Sequence, residues 1–165
     1  MQLLKDSGIF IDKDLIAKKF QVEYGKTKKN ETFMLDKELL EELAKDYNLA
    51  IFTGRPRKEA IDALKKYNAM GHFKMVVAME DSKKQKPNPD GLIKILDAII
   101  NMEAYYFGDS IDDMNAARLS PNAKAIGVLP PNDKSDSMSN LLLKNGAMLV
   151  INEINDIKEA LDENC

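Results

Sequence analysis

The sequence predicts an α/β protein built around a mostly parallel sheet. From about Thr32 onward, short apolar runs alternate with amphipathic segments whose apolar residues recur at helical spacing. This alternation is typical of successive βα units. The 165 residues, 44% of them hydrophobic, suffice for one domain of ordinary size with a buried core.

Apolar runs bounded by turn residues mark the strands. The predicted strands are Leu49 to Phe52, Met75 to Met79, Ala104 to Phe107, Ala125 to Leu129 and Ala147 to Ile151. Helical spacing predicts helices over Leu35 to Tyr47, Ala60 to Tyr67, Leu92 to Ile100, through Ala116 and Ala117, Leu141 to Lys144 and Ile157 to Leu161. Asn88 and Pro89 supply a capping residue and a proline for the first position of the third helix.

The first 30 residues depart from this pattern. Leu15, Ile16, Phe20 and Tyr24 lie at helical spacing, and Gly25 stands where such a helix would end. We interpret this segment as a helix that packs on something other than the α/β core. The expected division is therefore an N-terminal helical segment, residues 1–34, and an α/β core, residues 35–165.

Charge and cysteine content argue against several classes of function. A net charge of −3 and a pI near 5.3 do not favour nucleic acid or anionic membranes as partners. The single cysteine, Cys165, has no partner for a disulfide or a thiolate zinc site. No signal-peptide pattern or membrane-spanning apolar run occurs in the sequence, so we expect a cytoplasmic protein.

Polar residues directly after predicted strands are the first candidates for a site, because ligands of open parallel sheets bind beyond the carboxyl ends of strands. Thr53 and Gly54 offer a hydroxyl and an accessible backbone N–H suited to a phosphate oxygen, although a plain turn is the alternative. Lys86, just before a capped helix, could offset phosphate charge or pair with a carboxylate, or it could simply be solvated.

Three carboxylates cluster where the strand ending at Phe107 turns into a helix. Asp109, Asp112 and Asp113 are hard oxygen ligands, which suit Mg²⁺ better than zinc or copper. The alternative is structural: Asp109 or Ser110 caps the helix, and the other acids favour its positive end.

The order of these residues resembles the haloacid dehalogenase superfamily. Thr53-Gly54 after a strand, Lys86-Pro87 before a helix, and Gly108-Asp109 with Asp113 after a further strand are similar to the second, third and fourth motifs of that superfamily. The resemblance covers roughly residues 35 to 161 and is greatest to the phosphoglycolate-phosphatase-like branch with a helical cap. It implies a three-layer Rossmann-like core, with the N-terminal helical segment as the remnant of the cap.

The resemblance also implies Mg²⁺-dependent hydrolysis of a phosphate ester through an aspartyl-phosphate. Thr53 would bind the phosphoryl group, and Lys86 would neutralise charge on the nucleophile and the phosphate. Asp109 and Asp113 would hold or orient Mg²⁺.

The resemblance extends to substrate binding. Gly54 would add a backbone donor, and Arg55 would reach the substrate, with a surface role for Arg55 equally open. The implied substrate is a small phosphorylated metabolite.

The first motif of the superfamily, an apolar strand ending in Asp-x-Asp with a nucleophile, has no clean copy here. Asp12 and Asp14 form an Asp-x-Asp pair after three apolar residues, but Leu15 and Ile16 stand where a small residue and Thr or Val belong. A capless enzyme that uses Asp12 is one interpretation. We favour the other, in which the chain is the C-terminal portion of a larger phosphatase and lacks the first strand.

Two functions follow. The first is a phosphatase, and the alternative is a non-catalytic phosphate-binding or regulatory module with the same fold. Loss of a central strand would expose sheet edges, so a homo-oligomer or a partner fragment is a further expectation.

Overall fold

The computed structural model describes residues 31–99 and 103–163. The chain divides into two compact units, residues 1–33 and 34–165, and the elements below belong to the second unit. The predicted helix near Leu15, the Asp12 and Asp14 pair, and Cys165 lie outside the described residues.

Helices and strands alternate along the described part of the second unit, as the sequence predicts. The elements are α1 (Lys37–Asp46), β1 (Leu49–Phe52), α2 (Arg57–Lys66), β2 (Phe73–Val77), α3 (Asp90–Ile99), β3 (Ala104–Gly108), α4 (Ile111–Arg118), β4 (Ala123–Val128), α5 (Asp136–Lys144), β5 (Ala147–Ile151) and α6 (Ile157–Asp162). Short 3₁₀ turns cover Met70–His72, Met79–Asp81 and Ile154–Asp156.

All the strand pairs are parallel, which confirms the α/β class. Among the described residues the strands form two sheets, β1 with β2 and β3-β4-β5 in that order. Phe52 lies opposite Val77, so β1 and β2 end level with one another. Gly108, the last residue of β3, lies opposite Gly127, one residue before the end of β4.

The bounds of two predicted strands are wrong. β2 covers Phe73–Val77 rather than residues 75–79, because the chain turns after Val77. Ala78 N donates to Asp81 Oδ2 at 2.8 Å, and Met79 N donates to the Arg55 carbonyl at 3.0 Å. β4 begins at Ala123, two residues earlier than predicted, because Ala123 pairs with Ala104 of β3.

Two apolar clusters form the core. The members of the first include Phe52, Val77, Leu92, Met114 and Leu142. The members of the second include Leu43, Ile126, Ile151, Ile157 and Leu161. Each such side chain stabilises the fold by about 1.5–3 kcal/mol when it is fully buried.

The second cluster joins the first and last described helices. Leu43 of α1 packs in the same cluster as Ile157 and Leu161 of α6. Polar contacts reinforce this packing: Asp36 N donates to Asn155 Oδ1 at 2.8 Å, and Lys158 forms an ion pair with Glu42.

Helix α3 begins at Asp90, one residue later than predicted, and Asn88 has the predicted capping role. Asn88 Oδ1 accepts a hydrogen bond from Asp90 N at 3.1 Å, and Ile93 N donates to the Pro89 carbonyl at 2.9 Å. Gly91 follows in the first turn and is buried against β1. A Cβ at Gly91 would collide with the Phe52 ring and with Ser82 Oγ, so the close packing of α3 on β1 requires glycine.

We therefore expect Gly91→Ala to destabilise the protein. Alanine ordinarily stabilises a helix relative to glycine by about 0.5–1 kcal/mol, but overpacking here should reverse the sign and cost about 1–3 kcal/mol. Urea unfolding measures the free energy of unfolding. Gly71→Ala is the matched control, since a Cβ at Gly71 meets no atom within 4 Å. Equal stability of Gly91→Ala and the wild type would contradict this account.

Candidate active site

A buried ion pair joins the loop before α3 to the first turn of α4. Lys86 Nζ lies 2.6 Å from Asp113 Oδ1, and the two side chains are only 18% and 9% exposed. Lys86 comes from the segment that follows β2, whereas Asp113 follows β3. The pair therefore connects the two sheets.

Lys86 has two further partners, one from each sheet. Its ammonium donates to the Phe52 carbonyl at 3.2 Å and to the Tyr106 hydroxyl at 3.0 Å. Tyr106 in turn donates its hydroxyl proton to Asp113 Oδ1 at 2.8 Å. An ammonium has three donors, and Phe52, Tyr106 and Asp113 account for all of them. Lys86 also faces the Phe52 ring, with Nζ 4.8 Å from the ring centre.

Local structure around α4 fixes the Asp113 carboxylate. Ser110 caps the helix, since its Oγ accepts from Asp113 N at 3.2 Å, so the predicted cap at this position is present. The same hydroxyl donates to Asp113 Oδ2 at 2.5 Å, so both carboxylate oxygens are held. Gly108 permits this approach, because a Cβ there would collide with the Asp113 side chain.

The ionisation of this cluster follows from its contacts. Burial raises the pKa of the Asp113 carboxyl, but the Lys86 ammonium and the hydroxyls of Ser110 and Tyr106 together hold that pKa below its ordinary value. Burial raises the pKa of Tyr106 far above its ordinary value, with Asp113 and Asp109 adding to the effect. At neutral pH Asp113 is therefore a carboxylate and Tyr106 a neutral phenol.

Thr53 and Gly54 lie at the end of β1, directly after the carbonyl that Lys86 contacts. Thr53 N donates to the Val77 carbonyl at 2.9 Å, and Thr53 Oγ1 accepts from Arg55 N at 3.2 Å. A Cβ at Gly54 would meet no atom within 4 Å, so the space in front of this backbone is open. Thr53 is half-buried, while Gly54 and Arg55 are exposed.

An ionic contact fixes the loop after β1 against the end of β2. Arg57 Nε lies 3.2 Å from Asp81 Oδ1, and the same guanidinium donates to the Val76 carbonyl at 3.2 Å. Arg57 N also donates to Glu80 Oε2 at 2.7 Å. These contacts join the segment that follows the Thr53-Gly54 turn to the end of β2.

The acids after β3 have different surroundings. Asp109 and Asp112 are exposed, whereas Asp113 is buried. Within the described part of the chain, no three His, Cys, Asp or Glu side chains form a group that could hold a metal ion. Asp109 is thus the acid that offers accessible oxygens directly after β3. One such carboxylate fits Mg²⁺, which commonly binds through one or two carboxylates, waters and a substrate phosphate.

Sequence reasoning missed Tyr106. It predicts Thr53, Lys86, Asp109 and Asp113 from their positions after strands, but Tyr106 lies within β3, where an aromatic residue is ordinary strand composition. The sequence offers only a weak signal for this role: a tyrosine in a buried strand indicates that its hydroxyl needs a hydrogen-bond partner, but it does not say which one.

No helix in residues 31–99 or 103–163 combines the length and apolar character that a membrane crossing needs.

Comparison with known proteins indicates the family. The profile of the haloacid dehalogenase-like hydrolases matches residues 2–128. The chain therefore belongs to the haloacid dehalogenase-like hydrolase family.

Two curated relatives match over shorter stretches. An imidazoleglycerol-phosphate dehydratase of Phytophthora nicotianae is 34% identical over 113 residues, 66% of this chain and 24% of that protein. A candidate pyrophosphatase of Caldanaerobacter subterraneus is 33% identical over 95 residues, 56% of this chain and 43% of that protein. The matched regions thus span less than half of either relative.

Solved structures share the fold. A hydrolase from Pseudomonas syringae superposes with a TM-score of 0.77 at 23% identity, over 99% of this chain and 76% of that one. A predicted phosphoglycolate phosphatase from Haemophilus somnus superposes with a TM-score of 0.73 at 20% identity, over 96% of this chain and 72% of that one. A candidate hydrolase of Bacillus subtilis, YfnB, was solved with bound magnesium. It superposes with a TM-score of 0.69 at 18% identity, over 98% of this chain and 68% of that one. These likenesses confirm the Rossmann-like fold class.

The ion pair makes a testable contribution to stability. We expect Asp113→Asn to lower the free energy of unfolding by about 3–5 kcal/mol, because it leaves the Lys86 ammonium buried without its counter-charge. Asp112→Asn is the matched control, as Asp112 is exposed in the same helical turn. It should change stability by no more than about 0.5 kcal/mol. Chemical denaturation measures both.

The pH dependence of that difference has a defined sign. Because the folded-state pKa of Asp113 is lowered, its stabilisation is present above the unfolded value, about 3.9, and is lost as pH falls through the folded value. The difference in the free energy of unfolding between the wild type and Asp113→Asn should therefore be the same at about pH 7 and about pH 5. It should become smaller at about pH 3. A gap that already narrows between the two higher values would contradict the lowered pKa.

Proposed function

We propose that this chain supplies the phosphate-binding and magnesium-binding part of a phosphate monoester hydrolase that works through an aspartyl-phosphate. The buried Lys86–Asp113 pair carries this proposal, together with the residues that directly follow β1 and β3. Membership of a hydrolase family supports it. The substrate class we propose is a small phosphorylated metabolite.

The end of β1 would receive the phosphoryl group. Thr53 is half-buried, a Cβ at Gly54 would meet no atom within 4 Å, and the exposed Arg55 side chain follows them. Lys86 adds positive charge, and the carbonyl that it contacts belongs to the residue before Thr53. Since all three Lys86 donors are engaged, a direct bond to phosphate would require it to release one partner.

Asp109 would be the protein ligand to Mg²⁺, and Asp113 would act as a positioning residue. Both Asp113 oxygens already accept hydrogen bonds, whereas Asp109 is exposed at the carboxyl end of β3. Bound Mg²⁺ would neutralise charge on the phosphate.

The nucleophile would lie outside the described residues. Among residues 31–99 and 103–163, Lys86 contacts no carboxylate besides Asp113, and both oxygens of Asp113 are held. Because Leu15 and Ile16 depart from the first motif after the Asp12 and Asp14 pair, we propose that the 165-residue chain alone binds phosphate without hydrolysing an ester. A non-catalytic phosphate-binding or regulatory module is the second candidate function, and the complete engagement of the Lys86 donors favours it.

Phosphate binding and hydrolysis can be measured separately. Calorimetry with inorganic phosphate and Mg²⁺ should show binding, and Thr53→Val should weaken it by about 10- to 100-fold, because a hydrogen bond to a charged group contributes about 1.5–3 kcal/mol. Ser137→Ala, which removes an exposed hydroxyl on α5, is the control. Absence of phosphate binding by folded wild-type protein would overturn the proposed function.

Hydrolysis of p-nitrophenyl phosphate with and without Mg²⁺ tests the location of the nucleophile. No turnover is expected from the chain alone. Metal-dependent turnover that Asp12→Asn abolishes would show instead that the chain carries its own nucleophile.

A pair of variants tests the proposal that Asp109 binds Mg²⁺. Asp109→Asn should remove the dependence of phosphate binding on Mg²⁺, because it removes the accessible carboxylate after β3. Asp112→Asn keeps the same net charge as that variant and should retain the dependence. Equal Mg²⁺ responses of the two variants would exclude Asp109 as the ligand.

A further inference from the structure

The Tyr106 hydroxyl is a polar group to which the proposed function assigns no role. It lies between two charged groups, because it accepts a hydrogen bond from Lys86 Nζ at 3.0 Å and donates one to Asp113 Oδ1 at 2.8 Å. The phenol thereby occupies one of the three donors of the Lys86 ammonium. A phosphate oxygen that binds Lys86 directly has to replace the phenol, the Asp113 carboxylate or the Phe52 carbonyl.

Replacement of the Asp113 carboxylate is unfavourable. Its distance to Lys86 Nζ, 2.6 Å, is the shortest of the three, and the side chain is only 9% exposed. A buried carboxylate that loses its counter-charge is strongly destabilised. The hydroxyls of Ser110 and Tyr106 would remain as its partners, but neither of them carries a charge. We therefore expect Lys86 to keep Asp113 when it binds a ligand.

Replacement of the Phe52 carbonyl is also unfavourable, although its distance to Lys86 Nζ, 3.2 Å, is the longest. Thr53 N bonds to β2, and alternate residues of a parallel strand bond the same neighbour, so the Phe52 carbonyl points away from β2. It would therefore lose the donor that Lys86 supplies. Phe52 is buried, and a buried carbonyl without a donor is unfavourable.

The Tyr106 phenol can release Lys86 at the lowest cost. After the ammonium turns away, the hydroxyl still donates its proton to Asp113, so the phenol keeps one hydrogen bond. Only an acceptor position on the oxygen is vacated, and no unpaired charge is left behind, because the phenol is neutral. The flexible four-carbon stem of lysine and its rotatable ammonium permit such a turn.

A phosphate oxygen at the end of β1 would be a better acceptor for this donor than the phenol. The ammonium gains a Coulomb attraction from an anionic oxygen that a neutral hydroxyl does not offer. Lys86 lies close to this position, since it contacts the carbonyl of the residue before Thr53, and its side chain is 18% exposed. The exchange of acceptors is therefore favourable for an anion, whereas an uncharged ligand oxygen offers Lys86 no more than the phenol does.

We propose that Tyr106 holds one donor of Lys86 in the free site and yields it to a phosphate oxygen when a phosphorylated ligand binds. Tyr106 is thus a positioning residue that acts through Lys86. It fixes the ammonium before binding, and it lowers the affinity for phosphate by the hydrogen bond that has to be exchanged. The inference rests on the proposed phosphate site at the end of β1 and adds the step by which Lys86 reaches the ligand.

Calorimetry with inorganic phosphate, at one Mg²⁺ concentration, compares the full wild-type chain with Tyr106→Phe. The variant keeps the aromatic ring, which lies 6.2 Å from the Phe52 ring in the wild type, and removes the competing oxygen. Phosphate should bind about tenfold more tightly, because the variant gives up no hydrogen bond from the Lys86 ammonium. A purely structural role of the hydroxyl would instead weaken binding.

Tyr105→Phe is the matched control. Tyr105 is the preceding residue of β3, and its ring faces Lys124, with Nζ 5.6 Å from the ring centre. Successive side chains of a strand point to opposite faces of the sheet, so this variant removes a hydroxyl from β3 without altering the contacts of Lys86. Its phosphate affinity should equal that of the wild type.

The outcomes separate this inference from the proposed function. Equal or weaker phosphate binding by Tyr106→Phe would overturn the role of Tyr106 and leave the phosphate site in place. The same gain in Tyr105→Phe would also overturn it. No phosphate binding by any of the three proteins would overturn the inference and the phosphate site together. Binding by Tyr106→Phe alone would support the inference, because the phenol would then be the group that blocks Lys86.

A measurement on the wild type tests the exchange of acceptors itself. In a chain labelled with ¹³C at the tyrosine Cζ positions, phosphate should shift the Tyr106 resonance, because the phenol oxygen loses the Lys86 ammonium. The Tyr105 resonance should not move. An unchanged Tyr106 resonance at a phosphate concentration that saturates the calorimetric signal would overturn the inference. This result decides even if Tyr106→Phe fails to fold.

Discussion

The arrangement of this domain depends on the contacts of one group, the Lys86 ammonium. It contacts a carbonyl of β1, a hydroxyl of β3 and a carboxylate of α4, so one side chain connects both sheets. Enclosing an ammonium and a carboxylate costs several kcal/mol per ion, and this cost is offset only when every donor and acceptor is matched. The capping of α4 by Ser110 and the absence of a side chain at Gly108 are parts of that match.

This dependence places stability and the candidate chemistry in the same few residues. The groups that fix the two sheets relative to each other also fix the positive charge beside Thr53. Any partner that draws Lys86 away from Phe52 or Asp113 would therefore loosen the polar connection between the sheets. The proposed ligand binding at the end of β1 would therefore be linked to the geometry of the sheets through one ammonium.

Much of this architecture could be predicted from sequence, because apolar periodicity and turn residues act locally. The cap at Asn88 and the strands from Leu49 and Ala104 lie where the pattern predicts them. The end of β2 does not, since Ala78 and Met79 are apolar, and it is a hydrogen bond from Ala78 to Asp81 that turns the chain. The role of Tyr106 could not be predicted from the sequence either, because it depends on contacts between residues of three separate segments.

The packing of α1 on α6 has a consequence for how the chain acquires its structure during synthesis. The residues that join these helices are 116 and 119 positions apart in the contacts between Lys158 and Glu42 and between Asp36 and Asn155. A ribosome delivers α1 well before α6 exists, so Leu43 has no complete apolar cluster to enter until the last helix emerges. Completion of the apolar cluster around Leu43 therefore waits for the last described helix, and contacts of such long range also slow folding.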